Sequence, residues 1–197
     1  MPLGDLLRRR PGDTPPCPAC GNAVPSGAIF CPTCGVRLED PESLPLHVVD
    51  RTTKLFNERF VRPILEDELA RGNRYGRWLG VLLVELRTQN DYGSGNADGL
   101  KAMAAALIGA LRDVDTPGLL KRMPAQFVVL LPEAEMSGTA HTANRLMETV
   151  SEALKPVDLK VAIGLVCVNP AKRFRAGAVI EAAARSLRTG RPEVLGR

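Results

Sequence analysis

Four of the five cysteines in this 197-residue chain stand in two matching units, Cys17-Pro18-Ala19-Cys20-Gly21 and Cys31-Pro32-Thr33-Cys34-Gly35, with ten residues between Cys20 and Cys31. Two such turns facing each other supply four soft thiolates, the donor set of a closed tetrahedral zinc site. Iron fits the same thiolate shell. The glycine that ends each unit lets the backbone aim its amides at the sulfurs. Because four sulfurs fill the shell, no position is left for an activated water, and the metal is expected to be structural rather than catalytic. The competing reading is an unliganded or redox-active set of thiols. A reducing compartment, and a segment too short to fold by burial alone, favour the metal. Cys167 lies in an apolar run and reads as inert core.

The stretch from Cys17 to Gly35 resembles the zinc-ribbon family found at the ends of many bacterial and archaeal proteins. No charged residue lies between Cys17 and Val36, whereas a ribbon that grips nucleic acid needs lysine or arginine for the phosphates. Docking of a protein partner is therefore expected, and a nucleic-acid partner is not. The nearest basic run, Arg8 to Arg10, shares a proline-bearing stretch expected as a flexible N-terminal arm over 1–16. The ribbon is expected over 17–36 and a linker over 37–49, where apolar periodicity is missing.

With 45% hydrophobic and 24% charged residues, the chain can bury one ordinary core beside a small appendage. Its formal net charge of +4, from 26 lysines and arginines against 22 acidic residues, builds no strong field for a polyanion. No apolar run reaches the roughly 18 residues of a membrane span, and the amino terminus holds no signal-peptide core, so a cytoplasmic location is expected.

Any chemistry beyond the ribbon needs elements to position it. Leu55, Phe56, Phe60, Ile64 and Leu69 recur at helical steps and predict an amphipathic helix ending near Gly72, which Pro63 is expected to kink or restart. Trp78 to Leu86 is an apolar run of strand length, which predicts a strand buried on both faces. A helix is predicted from Ala97 to Leu111. Two strands follow, Leu119 to Arg122 and Phe127 to Leu131, turning through Met123, Pro124, Ala125 and Gln126. A helix from Ser137 to Leu154, a strand from Leu159 to Val168 and a helix from Ala176 to Arg188 complete the series. Helices alternating with strands, plus one hairpin, give an α/β or α+β domain with helices packed on a sheet. It is expected over 50–191, with a C-terminal tail over 192–197.

The stretch Asp50-Arg51-Thr52-Thr53-Lys54-Leu55-Phe56-Asn57-Glu58-Arg59-Phe60 resembles the opening D-x-L-T-G-L-x-N-R-x-x-F of GGDEF, or diguanylate cyclase, domains. Arg74-Tyr75-Gly76-Arg77, Phe127-Val128-Val129-Leu130-Leu131-Pro132 and Val161-Ala162-Ile163-Gly164-Leu165 follow in the family's order. The resemblance implies the palm-like fold of nucleotide cyclases, a mainly antiparallel central sheet flanked by helices.

In active members of that family, two glycines in a hairpin turn let the backbone approach a GTP phosphate, and acidic residues after them hold metal or stabilise charge. The matching turn here reads Met123-Pro124-Ala125-Gln126-Phe127. Pro124 has no amide hydrogen, Met123 adds bulk, and Ala125 and Gln126 bring no carboxylate. The family's other metal-binding segment aligns with Glu85-Leu86-Arg87, where one carboxylate is too little for two-metal phosphoryl chemistry. Asn90, Asp91 and Asp98 match a shortened guanine-reading segment, with solvated surface or a helix cap as the alternative.

Arg112-Asp113-Val114-Asp115 fits the R-x-x-D pattern that, in the family, forms an inhibitory cyclic di-GMP site. A guanidinium meets phosphate or stacks on guanine, and a carboxylate accepts from the guanine edge. The seven residues from Thr116 to Arg122 that separate Asp115 from the turn exceed the family's usual spacing, and a charged helix end is the other reading. Arg185, Arg188 and Arg191 fall where the family has a phosphate-contacting lysine, or else form a solvated helix face. His47 and His141, the only histidines, lie in the linker and on a predicted helix, which argues against histidine-based catalysis. Together these residues predict a catalytically inactive GGDEF-like regulatory or scaffolding protein that works through protein–protein contacts. A cyclic di-GMP receptor using Arg112 and Asp115, and a residual diguanylate cyclase, are the alternatives.

Overall fold

A run as apolar as Trp78 to Leu86 folds without leaving oily surface in water only if both faces of its strand are covered. The computed structural model describes residues 16, 17, 20–25, 27–35, 38, 48–87, 97–155 and 159–196. The elements run β1 (Phe56–Asn57), α1 (Glu58–Tyr75), β2 (Leu79–Arg87), α2 (Ala97–Ala110), β3 (Thr116–Arg122), β4 (Ala125–Pro132), α3 (Met136–Leu154), β5 (Lys160–Val168), α4 (Ala176–Thr189) and β6 (Glu193–Leu195). β2 is the centre of a sheet ordered β1-β3-β4-β2-β5-β6. It pairs antiparallel with β4 and with β5, so that Leu83 lies opposite Val128 on one side and Gly164 on the other. β3 is antiparallel to β4, while the edge strands β1 and β6 pair parallel to β3 and β5. The result is the expected mainly antiparallel sheet flanked by helices.

Alternation along β2 sends its side chains to two cores. Leu82, Val84 and Leu86, with Phe127 and Val129 of β4, pack under Leu100, Met103 and Leu107 of α2 and Leu146 and Val150 of α3. Leu79, Val81 and Leu83, with Val128, Leu130 and Val166, pack under Val61 and Leu65 of α1 and Val179, Ala182 and Ala183 of α4. Each buried aliphatic side chain contributes about 1.5–3 kcal/mol of transfer free energy, so the sheet stands as a wall between two helix layers. α4 sits closest. A Cβ on Gly164 would lie 2.2 Å from the Ala183 carbonyl oxygen, and the Leu165 amide donates to Ser186 Oγ at 2.9 Å.

Several expectations need correction. α1 begins only at Glu58, with Asn57 as its cap accepting from the Phe60 amide, and ends at the left-handed Gly76 rather than near Gly72. Leu55 and Phe56 precede it, Phe56 being part of an edge strand. The helix runs through Pro63 as one element. The hydrogen bond lost there is outweighed by Val61, Leu65 and Leu69 anchoring the same face to the core. The hairpin strands are longer than expected: Arg122 pairs with Ala125, which leaves only Met123 and Pro124 at the tip, joined by a cis peptide bond. Residues 193–195, expected within a tail, are β6.

The chain divides into two compact units, Met1–His47 and Val48–Arg197. The arm up to residue 15 and most of the linker, His47 included, lie outside the described residues. The end of that linker belongs to the larger unit, since Val49 bridges Phe56 and the Asn57 amide donates to the Val48 carbonyl at 3.0 Å. Among the described residues no helix is long and apolar enough to cross a membrane.

Candidate functional site

In the smaller unit each C-x-x-C-G sequence closes a tight turn. The Gly21 amide donates to the Cys17 carbonyl at 2.8 Å and the Gly35 amide to the Cys31 carbonyl at 2.7 Å. Both glycines have positive φ, 74° and 72°, a conformation that a side chain would strain. The two turns bring the Sγ atoms of Cys17, Cys20, Cys31 and Cys34 within 4.8 Å of one another. Cys17 and Cys34 are 3.6 Å apart and Cys20 and Cys31 are 3.7 Å apart. A disulfide would bring two sulfurs to about 2 Å. A tetrahedron of Zn–S bonds of about 2.3 Å instead sets them roughly 3.8 Å apart. None of the four is in a disulfide, and Cys17 and Cys31 are buried with Val24 in the unit's apolar centre. Burial works to raise the Cys31 thiol, yet the amides of Cys34 and Thr33 and the neighbouring Cys34 and Cys17 thiols bring it down to about 6. The donor set therefore fits a thiolate-loving metal ion, with all four cysteines as its holders.

In the larger unit, the open end of the sheet is where β2 and the β3–β4 hairpin finish together. Glu85 lies opposite Gln126. Gln126 Nε2 donates to Glu85 Oε2 at 2.7 Å and Arg87 Nε donates to Glu85 Oε1 at 2.9 Å. Both carboxylate oxygens are engaged by neighbours, one of them a cation. At the tip, Met123 is 70% exposed and Pro124 has no amide hydrogen to offer.

Asp50 clasps this hairpin next to its tip, at Arg122. Its Oδ1 accepts from the amides of Thr52 and Thr53 and from the Thr53 hydroxyl at 2.8–3.0 Å. Its Oδ2 accepts from Arg122 Nη2, which also donates to Thr52 Oγ1. Burial pushes the Asp50 carboxyl up, but the Thr53 hydrogen bonds and the Arg122 charge outweigh it and hold it below the usual carboxylate range. A depressed carboxylate contributes stability above its unfolded pKa, and that contribution disappears as pH falls through the folded value. Asp50→Ala is accordingly expected to cost about 2 kcal/mol at neutral pH. In denaturant titrations across pH, the gap from the unsubstituted protein closes below about pH 4.

Arg112 and Asp115 meet through the Arg112 backbone and the Asp115 carboxylate. Asp115 is 8% exposed, and its Oδ2 accepts from the Arg112 amide at 2.9 Å, closing the turn between α2 and β3. Arg112 itself is exposed. Asp98 is exposed in the first turn of α2, where negative charge suits the helix's positive end. Asn90 and Asp91 lie outside the described residues. Arg185 pairs with Glu193 of β6. Cys167 is buried beside Thr139 and the Ala134 carbonyl, and its thiol is pushed up by burial, as suits inert core. The partners of Glu85 and Asp50 were not foreseen, although Arg122 and Gln126 were visible as polar residues flanking the turn.

Comparison with known proteins places these features in context. The family model described as "Diguanylate cyclase, GGDEF domain" matches residues 47–193. The diguanylate cyclase DosC of Escherichia coli K12 is 28% identical over 132 residues, covering 61% of this chain but only 28% of DosC. The chain thus spans little more than a quarter of that relative. Among solved structures, the GGDEF domain of DgcB from Caulobacter crescentus, in complex with c-di-GMP, superposes with a TM-score of 0.58 at 17% identity, covering 75% of this chain and 91% of that one. Diguanylate cyclase SiaD from Pseudomonas aeruginosa, in complex with its activator SiaC, gives a TM-score of 0.56 at 19% identity over 76% of this chain and 61% of that one.

Proposed function

The chain belongs to the GGDEF, diguanylate cyclase, family, and from that premise we propose that it is a catalytically inactive member acting as a regulator or scaffold, with its cysteine unit as a zinc-ribbon docking module for a protein partner. The observation that carries this is the hairpin end. A GTP phosphate needs free backbone amides at the tip, and the metals need unencumbered carboxylates. The tip consists of Met123 and Pro124, and both oxygens of Glu85 are taken by Gln126 and Arg87. A cation there would have to displace Arg87, whose charge also repels it.

The ribbon half of the proposal rests on chemistry of surface and shell. Four thiolates leave no open position for a substrate. Ile29 and Phe30, beside Cys31, are exposed in a stretch of sequence without charged residues, which suits an apolar protein contact. Zinc is the assigned ion, and a cytoplasmic setting keeps its thiols reduced. Binding of a protein activator by a fold relative is consistent with a partner-dependent role.

A second reading, a cyclic di-GMP receptor at Arg112 and Asp115, is favoured by the exposed Arg112 and by the ligand bound to the Caulobacter domain. Against it stands the Asp115 carboxylate, buried and spent on the Arg112 amide. Calorimetry with cyclic di-GMP decides between the two. The scaffold reading predicts no saturable heat. Saturable binding that Arg112→Ala abolishes would install the receptor reading in its place.

A further inference from the structure

Between the second half of α1 and the loop leading into α4 lies a cleft of about 550 Å³, a volume in the range of small-molecule sites. It lies at the end of the sheet opposite the hairpin tip. Asn73, on its wall, donates to the Pro170 carbonyl at 2.8 Å, just beyond the point where Leu79 pairs with Val168. The Glu85–Gln126 pair closes the other end of β2, roughly 20 Å away along the strand.

The cleft combines an apolar floor with a cationic rim. Leu69, Ala70 and the half-buried Phe174 line it, and Arg74, Arg173 and Arg175 surround it. Arg173 is oriented by its Nε, which donates to Asn73 Oδ1 at 3.1 Å, so its terminal nitrogens form a positioned fork. Among the described residues none of the three arginines has an ion-pair partner. The one lining acid, Glu66, is turned to the start of α4, where Oε1 accepts the Ala176 amide at 2.9 Å. The cleft is thus lined by three arginines, the guanidinium of Arg74 lying over the Tyr75 ring at 5.3 Å, and by a single carboxylate that is already engaged.

We propose that this cleft binds a small phosphorylated ligand carrying a flat ring, of the mononucleotide class. Guanidinium forks meet phosphate oxygens in pairs of charge-assisted bonds, and Phe174 with Leu69 gives the ring an apolar seat. Neither part involves the hairpin tip, Glu85, Arg112 or Asp115, so the site stands or falls independently of catalytic silence.

The test is calorimetry of the full chain with AMP, GMP and inorganic phosphate. A mononucleotide is expected to bind saturably, and inorganic phosphate at least about tenfold more weakly because it lacks the ring. Arg74→Ala and Arg175→Ala, both at exposed positions that leave the core untouched, are each expected to weaken mononucleotide binding about tenfold, while Lys101→Ala, at an exposed position of α2, leaves it unchanged. Absence of saturable binding by either mononucleotide overturns the proposal. So does binding indifferent to both substitutions, or equal affinity for phosphate alone.

Discussion

Cys31→Ser is expected to remove the metal and the fold of the smaller unit together. Cys31 is the most buried of the four thiols and is drawn toward its thiolate form by the Cys34 and Thr33 amides, so its loss takes away the ligand best prepared to bind. A hydroxyl in its place is a poor donor for a soft site. Among the described residues the unit has little else to hold it, because its apolar centre consists of Val24 and the cysteines with Ala28 and Leu38 packed against them. Metal binding in such small modules supplies about 10–16 kcal/mol that is also folding free energy, far more than so small an apolar centre can offer. Elemental analysis of the purified protein should find about one zinc per chain in the unsubstituted protein and almost none in the variant. Limited proteolysis should then cut between residues 17 and 36. The larger unit has its own two cores, and its thermal transition should stay in place. Full metal retention by the variant would contradict the four-thiolate site, and iron in place of zinc would revise the ion while leaving its ligands.

What could be read from the sequence follows from how local the physics is. The cysteine cluster was legible because the ligand geometry is written in spacing alone. β2, β4 and β5 were legible because a strand covered on both faces must be apolar throughout, as Val81 to Val84 and Phe127 to Leu131 are. The short edge strands were not. Phe56–Asn57 and Glu193–Leu195 are held by backbone pairing to neighbours and carry too few residues to show a period. That Pro63 does not restart the helix could not be read, because its local cost is visible in sequence while the burial of Val61 and Leu65 that offsets it is a property of the packed sheet.

At the hairpin end the same division holds. Pro124 and the missing carboxylates could be read directly. The capture of Glu85 by Gln126 could not, since it depends on cross-strand register over a separation of 41 residues. Nor could the clasp of Arg122 on Asp50, 72 residues away. The R-x-x-D letters around Arg112 are also local, but they do not reveal that the fold uses Asp115 to close a turn.

The second large effect expected of the proposed function is that the full chain makes no cyclic di-GMP. Removing one preorganised donor from a transition-state site commonly costs about a hundred- to a thousandfold in rate. At this hairpin the losses compound: no amide at Pro124, no carboxylate at Ala125 or Gln126, and an arginine seated on Glu85. Incubating the full chain with GTP and magnesium or manganese, and resolving the products chromatographically, tests the account most directly. It predicts no cyclic di-GMP above a protein-free control. Product that rises in proportion to protein concentration would contradict it.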